Sequence, residues 1–322
     1  MSVRSLILCF TALAAAVCRG QGADAPATVI VVAGAAGEQT FETDLKQQVE
    51  AWTKASGLAK AKLVSVGSSS AEGAPADRDQ LKAALEAETK ETRAELWLVL
   101  IGHGTFDGKE AKLNLRGPDV SSAEVGQWLK PFKRPLAIID TTSSSAPFMA
   151  RLAAPGRVIV TSTRSGNEHN YARFGKFLAE ALPDPKSDLD KDGQISLLES
   201  FLSASHRTTE FYKTEGRLAT EHALIDDNGD GLGTPADWFR GVHATKKSRD
   251  GASADGTRAH QFHLVRSVAE LQLSGELRAR RDKLELRLAD LRSSKPKMAE
   301  TEYYKELEKI LLELAELYEK ST

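Results

Sequence analysis

The chain has 322 residues, of which 43 are Lys or Arg and 45 are Asp or Glu, so its formal net charge is -2. Its 41% hydrophobic and 27% charged residues are typical of globular proteins. This composition excludes wholesale disorder, a collagen-like repeat and a multi-span membrane protein. The charge balance predicts no nucleic-acid partner, because binding phosphates requires a basic surface. The length suits one large domain and a smaller one.

The N-terminal segment has the features of a secretory signal peptide. Arg4 precedes an apolar run at 6–17, and small or polar residues follow at 19–23. We expect 1–23 to be removed during export to the periplasm or the extracellular space. The run is shorter than the ~20 residues that a spanning helix needs, so we expect no membrane span after cleavage. The alternatives are an uncleaved anchor and a buried helix. Val17 before Cys18 argues against a lipid anchor at that cysteine.

Both cysteines of the chain, Cys9 and Cys18, lie in this predicted signal. The mature protein is therefore expected to have no disulfide, so its apolar core must supply its stability. It is also expected to have no thiolate nucleophile and no cysteine-based metal site.

Short apolar runs alternate with amphipathic stretches in the first half of the chain, as in βα units around a mostly parallel sheet. The predicted strands are Thr28–Ala33, 61–66, Leu96–Ile101, 136–139 and Arg157–Thr161. The predicted helices are 41–55, 79–89, 121–129, with a capping box at Ser121 and Glu124, and 171–182. We therefore expect an α/β domain over 24–183, with helices flanking a mostly parallel sheet.

The second half of the chain divides into three further parts. Asp- and Gly-rich loops predict a calcium-binding region over 184–245, and a Lys-, Ser- and Gly-rich stretch predicts a linker over 246–259. Apolar residues at helical spacing over 260–322, broken near Pro296, predict a helical hairpin. The hairpin is either a solvated arm or a coiled coil that joins two copies of the chain.

The first acidic loop matches the twelve-residue EF-hand loop. Its predicted Ca²⁺ ligands are Asp188, Asp190, Asp192, Gln194 through its carbonyl, and Glu199. Carboxylates at positions 1, 3, 5 and 12, with Gly193 at the turn, form the oxygen set that Ca²⁺ prefers, and Mg²⁺ fits less well. The alternative is a solvated acidic turn.

A weaker loop of the same type follows 38 residues later. Its predicted ligands are Asp226, Asn228, Asp230, Leu232 through its carbonyl, and Asp237. Gly233 occupies the usual aliphatic position, Pro235 interrupts the pattern, and Asp237 is shorter than the usual Glu. The alternative is a structural turn rich in Asn and Gly.

Two predicted strand ends carry candidate catalytic residues, because the carboxyl ends of parallel strands meet at one edge. The third strand ends in Gly102-His103-Gly104 and the fourth in Asp140-Thr141-Thr142-Ser143. In order and placement these motifs resemble those of the caspase/legumain-like cysteine peptidases, over residues 28–182. The resemblance implies a caspase-like sheet, with Thr142 where the family has its nucleophilic cysteine.

The missing cysteine leaves two interpretations of this motif. A hydroxyl nucleophile needs a base within hydrogen-bonding distance, so His103 could activate Thr142 or Ser143, with Gly104 contributing to an oxyanion hole, in a Ser/Thr-dependent peptidase or esterase. In the other interpretation the hydroxyls only satisfy backbone groups of a tight turn. We favour the second and expect an exported, Ca²⁺-binding pseudoenzyme that binds or scaffolds a protein or peptide partner. A dockerin-like module fits less well, because dockerin loops lie closer together.

Overall fold

The computed structural model describes residues 25–37, 39–67, 73–251 and 253–319. The predicted signal peptide, with Cys9 and Cys18, lies outside the described residues. The strands are β1 (Thr28–Ala33), β2 (Lys62–Val66), β3 (Leu96–Ile101), β4 (Gly104–Phe106), β5 (Ala111–Leu113), β6 (Val120–Ser121), β7 (Leu136–Asp140), β8 (Arg157–Thr161), β9 (Leu224–Asp226), β10 (Thr234–Pro235), β11 (Phe239–Arg240) and β12 (His243–Ala244). The α-helices are α1 (Gln39–Leu58), α2 (Asp77–Ala87), α3 (Ser122–Leu129), α4 (Ala146–Leu152), α5 (Phe174–Ala181), α6 (Leu197–Thr214), α7 (Val268–Gln272), α8 (Gly275–Ser294) and α9 (Glu300–Glu319).

A seven-stranded sheet with the order β10-β9-β8-β7-β3-β1-β2 forms the centre of the fold. The strands from β8 to β2 run parallel, and β9 and β10 add to one edge in antiparallel orientation. β3 is buried along its whole length. A strand buried on both faces must be apolar at every position, which explains its continuous apolar sequence. The predicted α/β class with a mostly parallel sheet is confirmed.

Helices cover both faces of this sheet. On one face α1, α5 and α6 bury large side chains that include Trp52, Phe174 and Phe201. On the other face α2, α3 and α4 bury apolar side chains that include Leu81 and Phe148. Two apolar layers therefore stabilise the domain, and no cysteine lies in this part of the sequence.

Two elements beside the carboxyl edge of the sheet are absent from the sequence-based prediction. A small antiparallel sheet of β4, β5 and β6 follows His103 directly, and Asn114, the residue after β5, donates its backbone N–H to the carbonyl of His103 at 2.9 Å. The short helix α4 follows the turn after β7. These elements fix the two chain segments that carry the candidate catalytic residues.

The second predicted calcium loop connects two strands instead of two helices. Asp226, its first position, is the last residue of β9, which pairs with β8 of the central sheet. β10 then returns antiparallel to β9. This region is therefore a hairpin at the edge of the sheet, and the helix–loop–helix arrangement of an EF-hand is found only at the first loop within the part of the chain that the structure describes.

The C-terminal helices form the predicted antiparallel hairpin. α8 and α9 are joined by a 3₁₀ turn at Lys295–Lys297, and they share a small apolar core. Its buried members are Leu284, Leu291, Tyr303, Ile310 and Leu317. Among the described residues, no helix is both long and apolar enough to cross a membrane.

The hairpin begins later than the sequence pattern indicates. Residues 260–267 do not continue its helix, because Phe262 and Leu264 are buried against the main domain instead. The rings of Phe262 and Trp97 lie 5.9 Å apart, edge to face. His263 in this segment is buried, and burial lowers its pKa to about 4. The predicted linker also packs at its end, since Asp255 and Ala259 are buried.

Candidate functional site

The candidate catalytic residues meet at the carboxyl edge of the sheet, where β3 and β7 are neighbours. Close packing of the two strand ends depends on Gly104, because a Cβ atom there would lie 2.2 Å from the carbonyl oxygen of Ser143. Only glycine can occupy this position without moving the backbone. The sequence of the histidine motif therefore brings His103 against the turn that follows β7.

Ser143 is the residue that contacts His103. Its Oγ lies 2.9 Å from Nδ1 of His103, and it lies 3.1 Å from both the backbone nitrogen and the carbonyl oxygen of Gly104. His103 keeps an exposed edge, yet partial desolvation and then the nearby His169 lower its pKa below the usual value. A neutral imidazole can accept a proton at Nδ1, so this pair has the contact that a hydroxyl nucleophile and its base require.

Thr142, which the sequence motif predicts at the nucleophile position, makes a different contact. Its side chain is fully buried and its hydroxyl donates to Oδ1 of Asp140 at 2.6 Å. The backbone N–H of Thr142 donates to the same oxygen at 3.0 Å. A hydroxyl has a single proton to donate, so Thr142 is committed to Asp140 and not to His103.

Asp140 is an unusual carboxylate. It is completely buried, no described residue donates to its Oδ2, and burial raises its pKa to about 7. The two hydrogen bonds from Thr142 lower that pKa but do not offset the burial. Asp140 therefore shapes the turn after β7 and holds Thr142 in place.

A second serine–histidine contact lies beside the first and is absent from the sequence-based prediction. Ser144 Oγ lies 3.0 Å from Nδ1 of His169, and the backbone N–H of Ser144 donates to the carbonyl of Glu168 at 2.8 Å. Ser144 also has a φ of +57°, a left-handed conformation that costs free energy for any residue with a Cβ. The sequence has a run of three serines after Thr142, but nothing in it indicates which of them contact a histidine.

Most hydroxyls of this turn are already used by the protein. Ser143 and Ser144 are each about 1% exposed, and the backbone N–H of Gly104, a candidate oxyanion donor, is directed at Ser143 Oγ. Ser162 donates to the carbonyl oxygen of Thr142 at 2.6 Å. The turn after β7 therefore provides one contact between a hydroxyl and a possible base, Ser143 with His103. Most of its other hydrogen-bond donors and acceptors are paired with each other.

The first predicted calcium loop brings its acidic residues together. One ligand oxygen from each of Asp188, Asp190 and Asp192 lies within 4.8 Å of the others. Asp188 accepts from the backbone nitrogens of Lys191 and Gly193, and Gly193 has the positive φ of +88° that the turn requires. The side chains thus shape the loop while keeping carboxylate oxygens close together.

Glu199, the last position of this loop, is fully buried at the start of α6. Its Oε1 accepts from the backbone of Leu189 at 2.7 Å, and its Oε2 accepts from the backbone and hydroxyl of Ser196, both at 2.8 Å. The side-chain amide oxygen of Gln194 accepts from the backbone N–H of Ser267 at 3.3 Å. Only the backbone carbonyl of Gln194 therefore remains for the predicted ligand role. The chemistry of the donor set, carboxylate oxygens on a loop between two helices, fits Ca²⁺.

The second loop is arranged less favourably. Asp226 accepts from the backbone of Gly229 and Gly231, both at 2.9 Å. The side chain of Asn228 accepts from the backbone N–H of Asp230, and the side chain of Asp230 accepts from the backbone N–H of Leu232. Asp237, the last predicted ligand, is exposed on a 3₁₀ turn. In the described ranges, groups of three acidic or histidine ligand atoms within 4.8 Å occur only at the first loop.

No protein-family model matches this chain, and no curated protein matches it. Solved structures with a similar fold include two insect caspases. The initiator caspase Dronc of Drosophila is 11% identical with a TM-score of 0.42, covering 65% of this chain and 84% of its own. Caspase-1 from Spodoptera frugiperda is 10% identical with a TM-score of 0.43, covering 65% and 89%. Sequence identities and TM-scores this low say nothing about the activity of this chain.

Proposed function

We propose that this chain is an exported Ca²⁺-binding protein with a caspase/legumain-like α/β domain that binds or scaffolds a protein or peptide partner and does not act as a cysteine peptidase. The observation that carries the proposal is the first loop, where three aspartates converge beside the buried carboxylate of Glu199. A second copy of the chain, joined through α8 and α9, is one candidate partner.

The absence of cysteine chemistry in the α/β domain supports this proposal. The sequence has no cysteine after Cys18, and the hydroxyl at the family's nucleophile position is buried and bonded to Asp140. Cysteine suits such a scaffold because part of it is already thiolate near neutral pH, whereas a threonine hydroxyl needs an aligned base. Among the described residues no histidine is hydrogen-bonded to the Thr142 hydroxyl, which donates to Asp140 instead.

The first loop would couple metal binding to the fold. Asp188, Asp190, Asp192 and Glu199 would hold the ion, with the carbonyl of Gln194, and Ca²⁺ would neutralise their mutual repulsion. Glu199 is also part of the capping box of α6, together with Ser196. Binding to the folded state alone stabilises it by RT ln(1 + [L]/Kd). The loop would therefore order the start of α6 against the sheet.

Calorimetric titration with Ca²⁺ tests this proposal. Wild-type protein is expected to bind Ca²⁺, and Glu199→Gln to weaken binding by more than about tenfold, because position 12 supplies two of the oxygens. Asp237→Asn, in the weaker loop, is the matched control and should leave the affinity of the first site unchanged. A wild-type protein without measurable Ca²⁺ binding, or equal affinity in Glu199→Gln, would contradict the proposal.

A Ser-dependent hydrolase is the second candidate, and the 2.9 Å contact between Ser143 and His103 favours it. We expect no peptidase or esterase activity above background, because Ser143 is buried and Gly104 already uses its N–H. The measurement is hydrolysis of peptide amides and nitrophenyl esters by wild type, Ser143→Ala and His103→Ala. Activity in wild type that both variants lose would establish the hydrolase instead.

A further inference from the structure

A histidine from outside the first loop reaches into it. His260 lies on the 3₁₀ turn Ala259–Gln261, 70 residues after Asp190, and its Nε2 is 2.9 Å from Oδ2 of Asp190. Ligand atoms of Asp190, Glu199 and His260 all lie within 4.8 Å of one another. This group is distinct from the three aspartates of the loop but shares Asp190 with them.

Among the described residues, no Lys or Arg side chain forms an ion pair with the carboxylate of Glu199. It is fully buried, and within the described residues its partners are backbone N–H groups and the hydroxyl of Ser196, with no ion pair. A buried carboxylate is costly unless its charge is compensated. A bound cation at this position would provide that compensation.

The ligand chemistry of the group differs from that of the calcium loop. Ca²⁺ takes oxygen ligands, whereas an imidazole nitrogen combined with carboxylates suits first-row transition ions such as Zn²⁺ or Co²⁺. Three protein ligands also suffice for Zn²⁺ when water completes the coordination.

We propose that Asp190, Glu199 and His260 form a site for a divalent transition ion that overlaps the Ca²⁺ site. The inference rests on the proposed function to the extent that both sites use the same loop. Because Asp190 and Glu199 belong to both, Ca²⁺ and the transition ion compete for the loop.

Such a site would also connect the loop to the C-terminal segment. The turn that carries His260 is held at Ala259, whose N–H donates to Asp227 at 2.8 Å. It is held again at Gln261, whose side-chain amide donates to the carbonyl of Asp282 in α8 at 2.9 Å. An ion bound by His260 would therefore link the loop before α6 to the base of the helical hairpin.

Titration of the full chain with Co²⁺ and Zn²⁺, after removal of metals by chelation, tests this inference. Wild type is expected to bind one Co²⁺ with visible absorption, displaced by Zn²⁺ and, at higher concentration, by Ca²⁺. His260→Ala and His260→Gln should each weaken Co²⁺ and Zn²⁺ binding by more than about tenfold. Both should keep the Ca²⁺ affinity of wild type. His206→Ala, which removes an exposed histidine of α6, is the matched control and should bind both ions as wild type does.

The outcomes separate this inference from the proposed function. Equal Co²⁺ affinity in wild type and both His260 variants overturns the inference, whatever happens with Ca²⁺. Co²⁺ binding that depends on His260, in a protein that does not bind Ca²⁺, supports the inference and contradicts the calcium proposal. Thermal unfolding in the presence of a chelator establishes that each variant is folded.

Discussion

Asp140→Asn is expected to reduce, by the contribution of this one carboxyl group, the loss of stability that wild type shows between about pH 4 and pH 7. Burial raises the pKa of Asp140 from its ordinary value of 3.8 to about 7. Over this window the unfolded chain releases the proton while the folded protein retains it. The stabilisation is therefore complete below pH 3.8 and is lost as the pH rises through 7. At about 1.4 kcal/mol per pH unit, the contribution is roughly 4 kcal/mol.

Asparagine is the appropriate replacement because Oδ1 accepts both bonds from Thr142 and Oδ2 has no donor. An amide keeps that acceptor and cannot ionise. The measurement is the free energy of unfolding in urea at pH 5 and pH 8. Asp107→Asn is the control, because it removes an exposed carboxylate whose pKa is lowered by backbone hydrogen bonds. It should not reduce the fall in the free energy of unfolding between pH 5 and pH 8. An equal fall in wild type and Asp140→Asn would show that Asp140 ionises normally.

Arg134→Leu is expected to lower the free energy of unfolding by about 1–3 kcal/mol, because it removes buried hydrogen-bond donors and leaves Glu88 paired only with the more exposed Lys62, at 2.6 Å. The guanidinium is 2% exposed and lies 3.1 Å from Glu88. It also donates to the carbonyls of Ala94 at 2.7 Å and Glu95 at 2.9 Å. Glu88 in turn accepts from Thr28 at 3.0 Å. The ion pair therefore joins the end of α2 to β1 and to the residues directly before β3.

The adjacent residue provides the matched control. Lys133 pairs with Glu91 at 3.6 Å, but both side chains are more than 70% exposed. Lys133→Ala is expected to change stability by less than about 0.5 kcal/mol, since exposed ion pairs contribute little. Urea unfolding of both variants is the measurement. A loss below about 1 kcal/mol in Arg134→Leu would mean that the pair is replaced at little cost by apolar packing.

The sequence predicts the sheet well because its strands are long, apolar and buried on both faces. β1, β3 and β8 have the predicted bounds, and α3 has the predicted capping box of Ser121 and Glu124. The strands β4 to β6 are only two or three residues long, too short for a periodicity. β9 was not predicted because the Asp-Asp-Asn-Gly turn signal begins within it, at Asp226.

The candidate site was predicted only in part, because sequence position does not determine side-chain direction. The motif identifies Thr142, but the carboxylate of Asp140 takes its hydroxyl and His103 contacts Ser143 instead. The contacts of His169 with Ser144 and of His260 with Asp190 join residues 25 and 70 positions apart. Such contacts depend on how whole elements pack and carry no local sequence signal.

The melting temperature of the wild-type chain in excess Ca²⁺ and in chelator tests the calcium proposal most directly. We predict a higher melting temperature in Ca²⁺ than in chelator, increasing with Ca²⁺ concentration as binding linkage requires. The difference should be smaller in Glu199→Gln, whose Ca²⁺ affinity is expected to be weaker. Coincident wild-type melting curves in Ca²⁺ and in chelator would contradict the account.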